Sequence, residues 1–195
     1  MRAFLAIDLP AEIREELGAR QALFQKALAA SPDRDRGIRW TRPEGIHLTL
    51  KFLGEISDET LHRLIEQLEN LAPFEKFSIK VKGFGFFPDA RRPRVFWAGV
   101  EAPAALVQLA AQIDAALRAI GFASEARPFK PHLTLARFNN LTPQPALSKL
   151  VRQQGEADLG RFEVAEFYLF ESKLAPGMPA QYLKLRRFPK ESTIY

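Results

Sequence analysis

The sequence predicts an α+β fold: two lobes of duplicated antiparallel sheet related by a pseudo-twofold axis, with helices on the outer faces and a central cleft. Three observations predict it. Strand-like and helix-like stretches alternate along the chain; the order strand, helix, strand, helix, strand occurs twice; and His47-Leu48-Thr49-Leu50 returns unchanged as His132-Leu133-Thr134-Leu135. The offset from 47 to 132 is 85, and it is 85 again from Ser57 to Thr142, where the next helix is expected to start in each half. A shared offset across two features marks an internal repeat. Two copies are too few for a solenoid and no flexible linker separates them. We therefore read residues 1–195 as a single bilobed domain with repeat halves of approximately 1–90 and 91–195.

The elements follow from local pattern. Phe4 to Leu9 reads as a buried strand, and Pro10 opens a helix at a position where its missing N–H does no harm. That helix carries Ile13, Leu17, Phe24 and Leu28 on one side and is expected to end near Ser31-Pro32, followed by a loop rich in Asp and Arg. Ile46 to Leu53 alternates as a strand. Ser57 is placed as an N-cap with Asp58 and Glu59 in the first turn, and Leu61, Leu64, Ile65, Leu68 and Leu71 form a core-facing stripe behind it. Phe77–Phe86 and Val95–Val100 read as strands joined by a surface turn through Pro88, Asp89 and Pro93. Pro103 opens a helix with Leu106, Leu109, Ile113, Leu117 and Ile120, stopped by Gly121. A strand from His132 to Phe138, a short helix from Pro143 to Gly155, and strands at Phe162–Phe170 and Tyr182–Phe188 complete the chain.

Composition narrows the function. The 195 residues include no cysteine, which excludes disulfides, thiolate nucleophiles and cysteine-based zinc sites. No apolar run approaches the roughly 20 residues that span a bilayer, so a cytoplasmic protein without membrane association is expected. Lys and Arg number 28 against 23 Asp and Glu, an excess of +5 that suits a polyanionic partner. The cations bunch at Arg34, Arg36, Arg39 and Arg42; at Arg91, Arg92 and Arg94; at Arg127, Lys130 and Arg137; and at Lys184, Arg186, Arg187 and Lys190.

Strand periodicity puts His47 and Thr49 on one face and Leu48 and Leu50 on the other, and likewise for His132, Thr134 and their leucines. The leucines would face each lobe's core. The two His–Thr pairs could then meet across a pseudo-twofold cleft. Packing explains the leucines, but not why a histidine and a threonine recur on the opposite side. Such a site suits phosphoryl chemistry, since one imidazole can be neutral and the other protonated at the same pH. A neutral ring takes a proton from water, a protonated ring gives one to a leaving sugar oxygen, and the hydroxyls can bind phosphate oxygens. Neither cofactor nor metal is expected: no Asp or Glu lies within either motif, HExxH is absent, and His62 reads as a solvated side chain beside an apolar stripe.

At these residues the chain resembles the two-histidine (2H) phosphoesterase superfamily, and within it the RNA 2',3'-cyclic phosphodiesterases, also called 2'-5' RNA ligases. The signature is two copies of HxTx. The opening MRAFLAIDLP, HLTLKFLGE from His47, GFGFFP from Gly83, PRVFWAGV from Pro93, FKPHLTLARF from Phe129 and the closing ESKLAPGMPAQYLKL also resemble that group. The resemblance implies metal-independent hydrolysis of RNA 2',3'-cyclic phosphate ends, tRNA fragments among them, to 2'-phosphomonoesters. It implies His47 as proton donor, His132 as proton acceptor, Thr49 and Thr134 as phosphate ligands, and 2'-5' ligation as the reverse reaction without ATP. No obligate protein partner is evident.

Further binding candidates are Lys51, on the His47 face by parity, Lys130 and Arg137 at the ends of the second motif strand, and Phe52 as a base-stacking ring. Arg91, Arg92 and Arg94 could form an RNA-guiding rim. Two other readings stay open: a 2H esterase acting on a small cyclic nucleotide or 2'-5' oligonucleotide, and a non-catalytic RNA-binding module. The intact duplicated pairs disfavour the module.

Overall fold

The computed structural model describes residues 1–31, 37–125, 127–173 and 180–189. The expected features at Pro32, Arg34, Arg36 and Lys190, and part of the closing ESKLAPGMPAQYLKL stretch, lie outside the described residues. Nine strands and four helices are present among those described: β1 Arg2–Ile7, α1 Ala11–Ala29, β2 Ile38–Trp40, β3 Leu48–Glu55, α2 Asp58–Glu69, β4 Phe77–Phe87, β5 Val95–Glu101, α3 Ala104–Arg118, β6 His132–Phe138, α4 Pro145–Gln154, β7 Asp158–Val164, β8 Phe167–Lys173 and β9 Gln181–Phe188. A 3-10 turn, Pro43–Gly45, leads toward the first motif.

Local chemistry accounts for the helix starts. Pro10 and Pro103 stand in extended conformation before α1 and α3. The Ser57 hydroxyl accepts the Thr60 N–H at 3.2 Å and caps α2, with Asp58 and Glu59 at the positive end of the helix dipole. Three expectations change. The second of the paired helix starts lies not at Thr142 but at Pro145, behind Gln144, so its offset from Ser57 is 87. The run Phe162–Phe170 is two strands, β7 and β8, which sit in different places in the sheet. It reads as one strand because core-facing residues continue through it, with Phe162 and Val164 before the break and Phe167 and Leu169 after. The loop expected after α1 contains β2, whose three residues are too short for a periodic signal.

The strand order is β7-β4-β5-β6-β3-β1-β8-β9, all pairs antiparallel, in one curled sheet. This order is palindromic about its centre: β6 answers β3, β5 answers β1, β4 answers β8 and β7 answers β9. At the centre β3 and β6 pair through Leu48 opposite Leu133, the same position in both motifs. The two expected sheets are therefore fused along the pseudo-twofold axis, and the axis runs between the motifs. Each lobe draws strands from both halves of the sequence. β2 extends the line of β3 along β6, pairing Ile38 with Phe138, Arg39 with Arg137 and Trp40 with Ala136.

The helices lie on the opposite side from the motif side chains, and they cross over. α1, which follows β1, packs on β7 and α4 and sets Phe24 edge-on against Phe84 and Phe96, 5.0 and 5.2 Å away. Gly160 keeps β7 close to α1, because a Cβ there would meet Ile13 at 2.7 Å, and its φ of +110° favours glycine independently. α3, which follows β5, packs instead on β3 and α2. One continuous core joins both lobes, from Ile13, Leu17 and Leu28 through Leu48, Leu133 and Leu135 to Ile113 and Leu117.

Two of the four buried polar side chains among the described residues, Gln21 and Lys51, interrupt this core behind the motif strands. Gln21 of α1 is 3% exposed and donates to the Leu135 and Thr41 carbonyls at 2.9 and 2.8 Å. Lys51 of β3 is 4% exposed and donates to Asp114 of α3 at 2.5 Å and to the Ala123 carbonyl at 2.9 Å. Lys51 holds the Asp114 carboxyl down to a pKa of about 2. Removing either side chain takes one hydrogen bond from each of its partners, leaving Leu135 with the Thr41 N–H and Asp114 with Ser124 and Glu125. Gln21→Leu and Lys51→Met are each expected to lower unfolding free energy by about 1–3 kcal/mol, measured by urea titration. The ion-pair contribution in the native protein is present above pH 4 and is lost as pH falls toward 2, because the depressed carboxylate then takes up its proton.

Candidate active site

Both motif strands bulge at the same place. On β3, Thr49 pairs with Ala6 but Lys51 pairs with Leu5, so the register slips at Leu50. On β6, Thr134 pairs with Trp97 but Ala136 pairs with Phe96, so it slips at Leu135. An extra residue reverses the alternation beyond it. Lys51 therefore turns to the helix side, against the face that simple parity assigns it, and Phe52 turns to the cleft with 60% of its surface exposed. Ala136 is likewise buried and Arg137 exposed. Phe52 and Arg137 are again 85 apart, so they are pseudo-twofold counterparts: one lobe presents an aromatic ring where the other presents a guanidinium.

The central Leu48–Leu133 pair sets the remaining geometry. His47 and His132 stand diagonally across it, on the cleft face, roughly 7–8 Å apart at Cα by ordinary sheet spacing. Each ring is held the same way. The Nδ1 of His47 lies 2.8 Å from the Gly45 carbonyl, and that of His132 lies 2.7 Å from the Lys130 carbonyl. A carbonyl only accepts, so Nδ1 carries the hydrogen and Nε2 of each neutral ring keeps its lone pair. Neither Nε2, nor the hydroxyl of Thr49 or Thr134, has a hydrogen-bond partner among the described residues.

The surroundings differ between the two rings. His47 stacks on Phe4 at 4.6 Å and meets the edge of Tyr182 at 5.0 Å, with Phe170 behind at 6.1 Å. His132 meets Phe87 edge-on at 4.8 Å. Beside it, a cavity of about 480 Å³ is lined by Phe87, Trp97, Phe129 and Lys130. The Trp97 indole lies flat across Gly85, where any side chain would collide with it. Burial pushes the His47 pKa down to about 4, partly offset by the Gly45 bond and by the charge of Asp8. Burial also lowers His132, offset by the Lys130 bond. The Arg137 charge disfavours protonation of both rings, which places that cation within electrostatic reach of each.

The fold thus brings His47, Thr49, Phe52, His132, Thr134 and Arg137 to one face. Lys130 contributes both its carbonyl and an exposed side chain at the cavity edge. Lys51 is in the core instead. Contributors that went unseen in the sequence include Asp8, Tyr182 and Gln21. Only Gln21 left a trace, since it occupies the apolar stripe of α1 between Leu17 and Phe24. His62 is exposed, with its Nδ1 on the Asp58 carbonyl at 2.7 Å. Among the described residues no three His, Asp or Glu side chains are grouped to hold a metal ion, and no helix is long and apolar enough to cross a membrane.

A doubled strand–helix unit with one histidine and one threonine from each copy on a shared sheet face defines the 2H phosphoesterase class. The family model described as "LigT like Phosphoesterase" matches the chain twice, over residues 7–97 and 99–180. The chain belongs to this LigT-like phosphoesterase family. The RNA 2',3'-cyclic phosphodiesterase of Archaeoglobus fulgidus is 35% identical over 188 residues, covering 96% of this chain and 99% of the relative. That of Thermotoga maritima is 34% identical over 182 residues, covering 92% and 90%. Among solved structures, a Thermus thermophilus protein superposes with a TM-score of 0.77 at 32% identity, covering 96% of this chain and 97% of that one. Escherichia coli LigT complexed with 3'-AMP superposes with a TM-score of 0.74 at 30% identity, covering 96% of each chain.

In the free protein both imidazoles are expected to be neutral at pH 7. NMR titration of the ring protons should find His47 half-protonated near pH 4 and His132 below 6.5. Replacing Arg137 with Gln should move both upward, since it removes a cation that opposes protonation of each ring.

Proposed function

We propose that this protein is an RNA 2',3'-cyclic phosphodiesterase working by metal-independent acid–base catalysis. The observation that carries the reading is the Leu48–Leu133 pairing, which sets two histidines with fixed tautomers diagonally across one local axis. A phosphate seated on that axis lies between the two Nε2 atoms. Thr49 and Thr134 flank it as neutral donors for the non-bridging oxygens. Arg137 lies within electrostatic reach and offers charge where the transition state gains it. Phe52 offers an exposed ring for a base.

His132 accepts a proton from water as the water oxygen bonds to phosphorus. The P–O3' bond breaks, O3' takes the proton of His47, and a 2'-phosphomonoester with a free 3'-hydroxyl leaves. A 5'-hydroxyl in place of water gives the 2'-5' linkage by the reverse of the cleavage path. The acid role of His47 draws on Asp8, whose charge favours protonated His47 and has no counterpart beside His132 among the described residues. The bound phosphate adds a second negative charge in the same place. Together they oppose the desolvation that keeps the ring neutral in the free protein.

His47→Ala and His132→Ala should each lower kcat by about 10²–10⁴-fold on RNA ending in a 2',3'-cyclic phosphate. Circular dichroism should report an unchanged fold, and the native product should be the 2'-monoester, resolved from the 3'-isomer by chromatography. Near-native turnover in either variant contradicts the assignment, as does activity abolished by EDTA and restored by metal. The profile of kcat/KM against pH should be bell-shaped, with a maximum between the two free-protein imidazole values and therefore below pH 6.5. Above both values, activity should fall about tenfold per pH unit. The basic limb of kcat should lie at higher pH, because bound phosphate stabilises the imidazolium.

A further inference from the structure

Arg39 and Arg137 are directly opposed across β2 and β6. Residues so paired share a face with Cβ atoms about 5 Å apart, and like charges in that position repel. Their neighbours fix which face it is. Ile38 and Trp40 pack into the core on either side of Arg39, and Ala136 and Phe138 do so on either side of Arg137. Both guanidiniums therefore project on the cleft side, and both residues are exposed.

Three other cations near the cleft have carboxylate partners: Lys184 on Asp8, Arg187 on Glu166 and Lys82 on Glu156. Neither Arg39 nor Arg137 has an ion pair or side-chain hydrogen bond among the described residues. The platform beneath them is firm. Just past β2, the Thr41 N–H donates to the Leu135 carbonyl at 2.8 Å, and Gln21 bonds to that carbonyl and to the Thr41 carbonyl. Two guanidiniums held in repulsive register on a braced strand pair, with no ion-pair partner among the described residues, are poised for an anion. Their planar forks suit phosphate.

The location says which phosphate. Along β6 the cleft-side residues run His132, Thr134, Arg137, so the pair lies one step beyond the hydroxyl assigned to the reacting phosphate. We infer that Arg39, with Arg137, forms a second phosphate subsite that holds the phosphodiester next to the terminal nucleotide. The inference rests on the activity proposed above and narrows its substrate class to oligonucleotides over mononucleotides. Arg137 serves both positions; Arg39 is the specificity-determining member.

The test compares two substrates that differ by one phosphodiester: adenosine 2',3'-cyclic phosphate, and the dinucleotide ApA ending in a 2',3'-cyclic phosphate. The native protein should prefer the dinucleotide in kcat/KM. Arg39→Gln should lower the ratio of dinucleotide to mononucleotide kcat/KM about tenfold, and Arg39→Lys should lower it less. For the dinucleotide, the slope of log kcat/KM against log salt should become shallower by roughly 0.7 in Arg39→Gln, as expected for one lost contact to a single strand. A ratio and slope unchanged by Arg39→Gln overturn the subsite, whether both activities fall together or neither does. If the native protein hydrolyses neither compound, it is the proposed activity that fails.

Discussion

The chemistry of the cleft depends on two buried polar braces behind it. Each motif strand carries an extra residue, and that bulge turns Phe52 and Arg137 toward the cleft. A bulge disrupts the ladder and leaves backbone groups in need of partners. At Leu135 the carbonyl is satisfied by Gln21 and the Thr41 amide. At the first bulge the displaced side chain, Lys51, is itself satisfied by Asp114 and the Ala123 carbonyl. Gln21 and Asp114 sit at matching turns of α1 and α3, since the spacing between them, 93, also separates Ile13 from Leu106 and Leu17 from Ala110. The same solution occurs twice, with different side chains.

The second constraint is electrostatic. Packing a histidine against Phe4, Phe170 and Tyr182 fixes its orientation but suppresses its charge. Arg137 suppresses it further. The arrangement keeps both rings neutral until a negative charge enters between them. In the proposed mechanism protonation then becomes part of recognition, because a bound anion adds to the field that Asp8 already supplies at His47. A neutral ligand of the same shape would leave the rings as they are. Asp8, held by Arg14 and Lys184, leaves one ring nearer to protonation than its burial alone would allow, and so breaks the symmetry of an otherwise doubled site.

Much of this was legible in the sequence, for a physical reason. Apolar periodicity located α1, α2 and α3, Pro143 and Gly155 bracketed α4, and the repeated HLTL located both motif strands and the axis between them. Parity within a strand was enough for His47 and Thr49, but it failed at Lys51 because a bulge leaves no mark in the pattern: Leu50 and Lys51 are both buried, and a lysine is the last residue one expects inside. The change of lobe between β7 and β8 was hidden by uninterrupted core-facing residues. The crossing of the helices was invisible because either sheet would accept the same apolar stripe. Asp8 acts through space on a ring 39 positions away, and no local pattern reports such a partner.

The crossing of α1 and α3 has a bearing on how such a chain could arise. A unit of about 95 residues, roughly half of the 195, would leave its long helix with little of its own sheet beyond Phe84 to cover and its motif strand with nothing behind its bulge if it closed on itself. Two identical units could solve both problems by exchanging helices, each roofing the strands of its twin. The present chain has the form of that exchanged pair after fusion, with the seam at Leu48 and Leu133 still preserving the self-complementary contact of a symmetric dimer. On this view the bipartite cleft came from assembly first, and the divergence of Phe52 from Arg137 followed once a single polypeptide allowed the two sides to differ.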